Sequence, residues 1–89
     1  MTSAELTIAN KLGLHARAAA KLTQVATSFH SEVWLTRNGR RVNAKSIMGV
    51  MMLAAGKGAS VTVEADGLDA DEAVAAIREL VAGKFGEEE

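Results

Sequence analysis

The sequence predicts an α+β fold, an open-faced β-sandwich in which a four-stranded antiparallel sheet is covered on one face by three helices. Three stretches alternate polar and apolar residues, as half-buried strands do, and a hairpin turn signal predicts a fourth strand. Three others repeat apolar residues at spacings of three and four, as helices with one buried face do. Their order along the chain is βαββαβα, and 89 residues suffice for a single domain, residues 1–89.

The first two elements flank a glycine-containing loop. Residues 1–3 are expected to be a loose end, and Glu5–Ile8 a strand with Leu6 and Ile8 facing inward. A loop at 10–14 follows, in which Gly13 supplies backbone freedom. The first helix should run from Ala16 to about Ser28. Its predicted buried face consists of Ala18, Leu22, Val25, Ala26 and Phe29.

The middle of the chain predicts a β-hairpin. Glu32–Arg37 alternates, Asn38-Gly39 is a strong two-residue turn signal, and Arg40–Asn43 would be the returning strand. This register places Val33, Leu35 and Val42 toward the core and Trp34 on the outer face or an edge. The three arginines near the turn predict a solvated edge that discourages pairing with another strand: Arg37, Arg40 and Arg41.

A second, short helix is predicted from a Ser46 cap to about Ala54, with residues 55–58 ending it. This helix has two apolar stripes. One should be buried, and it contains Val50, Leu53 and Ala54. The other should be at least partly exposed and suits docking to several partners, because methionine adapts to varied surfaces: Ile47, Met48, Met51 and Met52.

The last part of the chain predicts a strand and a helix. The strand covers 60–65, and Asp66-Gly67 turns out of it. Asp69 and Glu72 resemble a capping box for the third helix, which ends vaguely between 82 and 85. Residues 86–89 are expected to be a solvated acidic tail. The predicted core face of the helix consists of Ala73, Ile77, Leu80 and Val81.

Composition excludes several classes of function. A formal net charge of -1 gives no drive toward nucleic acid or an anionic membrane, and no apolar run is long enough to span a bilayer. There is no cysteine, His30 is the only histidine besides His15, and no carboxylate lies at ligand spacing near His15 in the sequence. We therefore expect a cytoplasmic protein with no metal site and no cofactor.

The candidate site is Gly13-Leu14-His15-Ala16-Arg17. Helix starts favour Ser, Thr, Asp or Asn, and a histidine there leaves the backbone N–H groups of Ala16 and Arg17 uncapped, so they can receive an anion. The planar Arg17 fork suits phosphate, and a neutral imidazole is a nucleophile near pH 7. The combination favours a phosphohistidine site with His15 as carrier, although a lone histidine at a helix start is more often a plain surface residue.

Two motifs, Gly13 to Arg17 and Lys45-Ser46-Ile47-Met48-Gly49-Val50-Met51, resemble those of the HPr family of the bacterial phosphotransferase system. The resemblance implies an open-faced sandwich in which His15 accepts a phosphoryl group on Nδ1 from phosphorylated Enzyme I, charged by phosphoenolpyruvate, and passes it to an EIIA-type acceptor. It also implies that Arg17 steadies the phosphoryl group, that Ser46 is a substrate of HPr kinase/phosphorylase, and that the exposed apolar stripe docks partners.

One departure bears on the branch of the family. Ala18 stands where the family often has proline. Alanine keeps the helix and the chemistry of His15, but the change leaves open a nitrogen-related or regulatory branch besides sugar uptake. An alternative function is a regulatory binding module that acts through Ser46 and the stripe with His15 idle. We expect a monomer that docks transiently and does not bind nucleic acid.

Overall fold

The computed structural model describes residues 1–88 and confirms the expected α+β open-faced sandwich. Its strands are β1 (Thr2–Thr7), β2 (Glu32–Arg37), β3 (Arg40–Asn43) and β4 (Ser60–Asp66). Its helices are α1 (Ala16–Thr27), α2 (Ile47–Met52) and α3 (Ala70–Ala82), followed by a 3₁₀ turn at Lys84–Gly86. No helix among residues 1–88 is long and apolar enough to cross a membrane.

The four strands form one antiparallel sheet in the order β1-β4-β2-β3. Thr2 pairs with Ala65 and Thr7 with Ser60, so β1 lies beside β4 over its whole length. The alternation in β2 and β4 sends Val33, Leu35 and Val63 to the helix-covered face, where they are fully buried. The sheet therefore has one buried face and one face open to solvent.

Trp34 lies on the open face of the sheet, as expected. The Arg41 guanidinium carbon is 4.0 Å from the centroid of the Trp34 ring, a cation–π arrangement. Arg41 Nε is also 3.6 Å from Glu64 Oε1 on the neighbouring strand β4. These contacts place a charged group over the indole, while Arg41 stays exposed on the edge strand β3.

The first strand begins earlier than expected. Residues 2 and 3 pair with β4 and are not a loose end, whereas Ile8 is buried just beyond the strand. The Thr2 hydroxyl also donates a hydrogen bond to the Asp71 carboxylate on α3. Pairing with β4 and this tie to α3 order a segment whose polar sequence gave no strand signal.

The second helix ends two residues earlier than expected. Ala54 was assigned to the buried stripe, yet it is exposed and has a left-handed φ of 51°, so it lies outside α2. The left-handed turn redirects the chain so that buried Ala55 packs into the core instead. Val50 and Leu53 are buried as predicted.

The capping box predicted for α3 does not form. Asp69 is at the N-cap position, but its side chain makes no capping bond to α3. Its carboxylate instead accepts bonds from the backbone N–H groups of His30 and Ser31, at 2.8 and 2.9 Å, and from the Ser31 hydroxyl at 2.5 Å. These bonds lower the pKa of Asp69 to about 2, with the Ser31 hydroxyl as the largest cause. Asp69 thus connects the start of α3 to the loop before β2.

Candidate functional site

His15 occupies the N-cap of α1, as the sequence predicted. Its backbone is extended, with φ -70° and ψ 176°, and its side chain makes no capping hydrogen bond. The first N–H groups of a helix have no partner within the helix, and α1 carries no acidic residue in its first turn. The helix end beside His15 therefore retains the positive electrostatic character that favours an anion.

Gly13 fixes the approach of the chain to His15. Its φ is +66°, in the left-handed region that glycine adopts freely. A Cβ atom there would lie 2.4 Å from the Ala55 carbonyl oxygen and 2.7 Å from the Gly56 Cα. The next residue, Leu14, donates its N–H to Ala55 O at 2.9 Å. The loop before His15 is therefore closely packed and hydrogen-bonded to the segment that follows α2.

Glu87 lies against the histidine ring. Its Oε2 atom is 2.5 Å from His15 Nε2, and its Oε1 accepts a hydrogen bond from Asn10 Nδ2 at 3.1 Å. The exposed fractions of the His15 and Glu87 side chains are 26% and 17%. Residues 86–89 were expected to be a solvated tail, which is wrong for Glu87, while Glu89 lies outside the described residues. A carboxylate thus contacts His15 from a position 72 residues away in the sequence.

The 3₁₀ turn after α3 holds Glu87 in place. Phe85 is only 1% exposed and packs into the core, with a left-handed φ of 57°, and Gly86 has a φ of +78°. Lys21 Nζ on α1 donates to the Phe85 carbonyl at 2.6 Å. The end of the chain is thereby anchored to the core and to the same helix that His15 begins.

The contacts of Glu87 favour its charged form. The hydrogen bond from His15 is the main cause that lowers the pKa of Glu87 below its usual value, and the bond from Asn10 lowers it further. A carboxylate at this position offers only acceptors to the imidazole. His15 Nε2 is therefore the donor in this contact.

Arg17 and Ala16 lie beside His15 at the surface. Both are exposed, and they line with His15 and Glu87 an open depression at the start of α1. Leu12, which we had not singled out, lines the same depression and is 66% exposed. The structure thus brings the predicted residues together at a surface that a partner protein can reach.

The apolar stripe of α2 is exposed, as predicted. The exposed fractions are 71% for Met48 and 58% for Met52, against 0% for Val50 on the opposite side of the helix. Ile47 and Met51 are 43% and 38% exposed. We call Leu12 and these four residues the apolar rim. The Leu14 N–H bond to the Ala55 carbonyl joins the segment that follows α2 to the loop before His15.

Ser46 caps α2, as predicted. Its Oγ accepts a hydrogen bond from the Gly49 backbone N–H at 3.1 Å, and the residue is half-buried. Two arginines of the hairpin reach the other end of the helix: Arg37 Nη1 donates to Leu53 O at 3.0 Å and Arg40 Nη1 to Met52 O at 3.3 Å. The expectation that these arginines form only a solvated edge was wrong, because they bind the free carbonyls at the end of α2.

The remaining histidine is separate from the site. His30 is exposed, and its backbone N–H binds Asp69, beyond the C-terminal end of α1. Within residues 1–88, no group of three histidine, aspartate or glutamate side chains is placed to hold a metal ion. His15 and Glu87 form a contact pair, an imidazole with a carboxylate partner.

Comparison with known proteins shows the family of the chain. Residues 2–83 match a family model described as the PTS HPr component phosphorylation site. The chain is 62% identical to the phosphocarrier protein HPr of Cupriavidus necator over 100% of both chains. It is 45% identical to the phosphocarrier protein NPr of Shewanella violacea over 93% of this chain and 91% of that protein. A crystal structure of HPr-C-His from Thermoanaerobacter tengcongensis superposes with a TM-score of 0.97 at 45% identity, covering 100% of both chains.

Proposed function

This chain belongs to the HPr family, the phosphocarrier proteins of the phosphotransferase system, and we propose that His15 is the residue that carries the phosphoryl group. In this proposal His15 accepts the group from phosphorylated Enzyme I and passes it to an EIIA-type acceptor. The observation that carries the proposal is the accessible imidazole at the uncapped N-terminus of α1, with Arg17 beside it. A phosphoryl carrier must bind the phosphoryl group only moderately, because the group has to be passed on, and a partly exposed site meets that need.

The two histidines provide a matched test. The protein is incubated with phosphoenolpyruvate and active Enzyme I and then analysed by intact-mass spectrometry before and after acid treatment. The wild type and His30→Ala should each gain one acid-labile phosphoryl group, whereas His15→Ala should gain none. Phosphorylation that persists in His15→Ala, or its absence in the wild type, would contradict the assignment.

Arg17 is proposed to steady the phosphoryl group together with the backbone N–H groups of Ala16 and Arg17. Arg17 is exposed and lines the same depression as His15. A hydrogen bond to a charged group contributes about 1.5–3 kcal/mol, so Arg17→Ala should slow transfer by about tenfold to a hundredfold. Arg78→Ala removes an exposed arginine from α3 and serves as the control. Equal rates for the two variants would exclude this role.

The apolar rim is proposed as the surface on which Enzyme I and the EIIA-type acceptor dock. Met48→Asp places a charge in the rim and should weaken binding to Enzyme I, measured by calorimetry, with little change in stability because Met48 is exposed. Leu68→Asp is the control, because Leu68 is fully exposed. It precedes Asp69, which binds the loop that follows the C-terminal end of α1, whereas His15 lies at the N-terminal end of that helix. If Leu68→Asp weakens binding as much as Met48→Asp, the rim is not the docking surface.

A second candidate function is regulation through Ser46, with or without relay by His15. Its support is the position of Ser46 at the start of α2, immediately before Ile47 and Met48 of the apolar rim. A phosphate on Ser46 would add negative charge beside the rim and oppose docking of an acidic partner. Incubation with ATP and HPr kinase should modify the wild type and Ser28→Ala, and leave Ser46→Ala unmodified. Modification of Ser46→Ala would exclude this site.

We further propose that the protein acts as a cytoplasmic monomer. A stable interface buries about 800 Å² on each partner, more than a few side chains around a six-residue helix present. This favours transient docking over a permanent dimer. Sedimentation at micromolar concentration should give a single species with the mass of one chain, and a dimer under these conditions would contradict the proposal.

A further inference from the structure

We propose that Glu87 is a positioning residue for phosphoryl transfer: its carboxylate keeps the ring proton of His15 on Nε2, which leaves the lone pair of Nδ1 as the nucleophile. The inference rests on the proposed function, in which His15 carries the phosphoryl group. It assigns a role to a residue at the far end of the sequence that the two motifs do not include.

The contact between the two side chains defines the tautomer. Glu87 Oε2 is 2.5 Å from His15 Nε2, and a carboxylate can only accept, so Nε2 must carry the hydrogen. A neutral imidazole has a single ring N–H, and the hydrogen bond of one ring nitrogen decides which nitrogen holds it. The other nitrogen, Nδ1, therefore keeps its lone pair whenever the ring is neutral.

The second oxygen of the carboxylate is held by a buried amide. Asn10 is 0% exposed, and its Nδ2 donates both to Glu87 Oε1 at 3.1 Å and to the Gly13 carbonyl at 2.8 Å. If the Asn10 side-chain amide were rotated by 180°, its oxygen would face two acceptors, the Gly13 carbonyl and the Glu87 carboxylate. The hydrogen bond to Gly13 therefore keeps the Asn10 nitrogen toward Glu87. The carboxylate is thus clamped between a fixed donor and the histidine ring.

The chain that carries Glu87 is also fixed. Phe85 is buried two residues earlier, and its carbonyl accepts from Lys21 Nζ at 2.6 Å. The carboxylate is therefore positioned by the core and by α1, and its hydrogen bond restrains the orientation of the ring. A group positioned this way limits rotation of the imidazole and reduces the freedom lost when the transferring phosphorus approaches.

The transfer step follows from this arrangement. The Nδ1 lone pair forms a bond to the phosphorus of the phosphohistidine on the donor protein while the donor N–P bond breaks. The electron pair of that bond returns to the donor nitrogen. The His15 ring then carries the phosphoryl group on Nδ1 and the hydrogen on Nε2, with positive charge spread over the ring. Glu87 accepts the Nε2 hydrogen bond before and after the step, so no proton leaves the pair.

Glu87→Gln is the most informative variant because it reverses the hydrogen-bond pattern. A glutamine amide has one oxygen and one NH₂ group, and Asn10 Nδ2 requires the oxygen. The NH₂ group then faces His15 Nε2 and favours the tautomer with its proton on Nδ1. Glu72→Gln makes the same change of charge on α3, where the side chain is exposed and does not line the depression around His15, and is the matched control.

The first readout is the ¹⁵N chemical shift of the two His15 ring nitrogens at a pH where the ring is neutral. The wild type and Glu72→Gln should show a protonated Nε2 and an unprotonated Nδ1. Glu87→Gln should shift toward a protonated Nδ1, and Glu87→Ala should lose the slowly exchanging Nε2 proton. A wild-type ring protonated on Nδ1, or identical ring shifts in all four proteins, would overturn the inference.

The second readout is the rate of phosphorylation by Enzyme I. If one ring in ten keeps its Nδ1 lone pair in Glu87→Gln, its rate should fall about tenfold, while Glu72→Gln should stay within about twofold of the wild type. A wild-type rate in Glu87→Gln would refute the role of Glu87 and leave the proposed function intact. A wild-type protein that Enzyme I does not phosphorylate would refute the proposed function, and the NMR measurement would still determine whether Glu87 sets the tautomer.

Discussion

Substituting Gly13 by alanine should damage both the stability and the function of the protein. Two separate effects meet at this position. Its φ of +66° is unfavourable for any residue with a Cβ atom, and that atom would lie 2.4 Å from the Ala55 carbonyl oxygen and 2.7 Å from the Gly56 Cα. Both contacts are with backbone atoms, so the loop before His15 or the segment after α2 must move.

The two effects set the size of the expected loss. A left-handed conformation costs about 1–2 kcal/mol for a residue other than glycine, and forcing an added methyl group into a packed region costs about 1–3 kcal/mol more. We therefore expect Gly13→Ala to lower the free energy of unfolding by about 2–5 kcal/mol. For a domain of this size that corresponds to a Tm lower by roughly 10–30 °C.

Gly58→Ala separates the two effects. Gly58 also has a left-handed φ, +89°, but an added Cβ would meet no atom within 4 Å. Urea unfolding should give a loss of about 1–2 kcal/mol for Gly58→Ala and a clearly larger loss for Gly13→Ala. Only Gly13→Ala should slow phosphorylation by Enzyme I, because only that loop leads into His15. Equal losses of stability in the two variants would refute the close packing of Gly13 on Ala55.

Three further substitutions test single contacts. Phe85→Ala removes a buried ring and should lower the free energy of unfolding by about 3–5 kcal/mol, measured by urea titration. Ser31→Ala should raise the pKa of Asp69 from about 2 toward its ordinary value. Because the folded-state pKa of Asp69 is lowered, its stabilising contribution is complete above about pH 4 and is lost as the pH falls toward 2, so the variant should be destabilised at neutral pH and approach the wild type near pH 2. Ser46→Ala removes the cap that binds the Gly49 N–H and should cost about 1 kcal/mol in thermal unfolding, whereas Ser46→Asp should retain the cap.

Each of these predictions has a contrary outcome. A loss below about 1 kcal/mol for Phe85→Ala would mean that the end of the chain is not anchored in the core. A stability difference for Ser31→Ala that stays constant from neutral pH to pH 2 would separate its effect from the ionisation of Asp69. An alanine variant of Ser46 as stable as the aspartate variant would show that the cap contributes nothing.

The sequence predicted most of the fold because alternation and helical periodicity are local signals. The boundaries of β2 and β3 match the structure, since the Asn38-Gly39 turn sets the register of the hairpin. The end of α2 was missed because alanine carries no sign that it will adopt the left-handed φ of 51° found at Ala54. That conformation is imposed by the packing of Ala55, which is a tertiary effect.

Only part of the candidate site could be predicted from the sequence. Gly13, His15 and Arg17 lie within five residues, and their types suggest a phosphate site without knowledge of the fold. The run of three acidic residues at 87–89 predicts a solvated tail, and nothing local connects Glu87 to a position 72 residues away. The available signal was Phe85, a large apolar residue at the last position predicted for the end of α3, which indicates that the chain stays on the core.

The sheet order has a consequence for how the chain folds. Strand β1 lies at an edge, and within residues 1–88 its only partner in the sheet is β4, with Thr2 opposite Ala65. During synthesis the residues of β1 emerge first but remain unpaired until those of β4 have left the ribosome. Closing so long a loop is entropically costly, and it makes the sheet slow to complete compared with a fold built from neighbouring hairpins. We expect the β2–β3 hairpin and the helices to form early and the β1–β4 pairing to limit the folding rate.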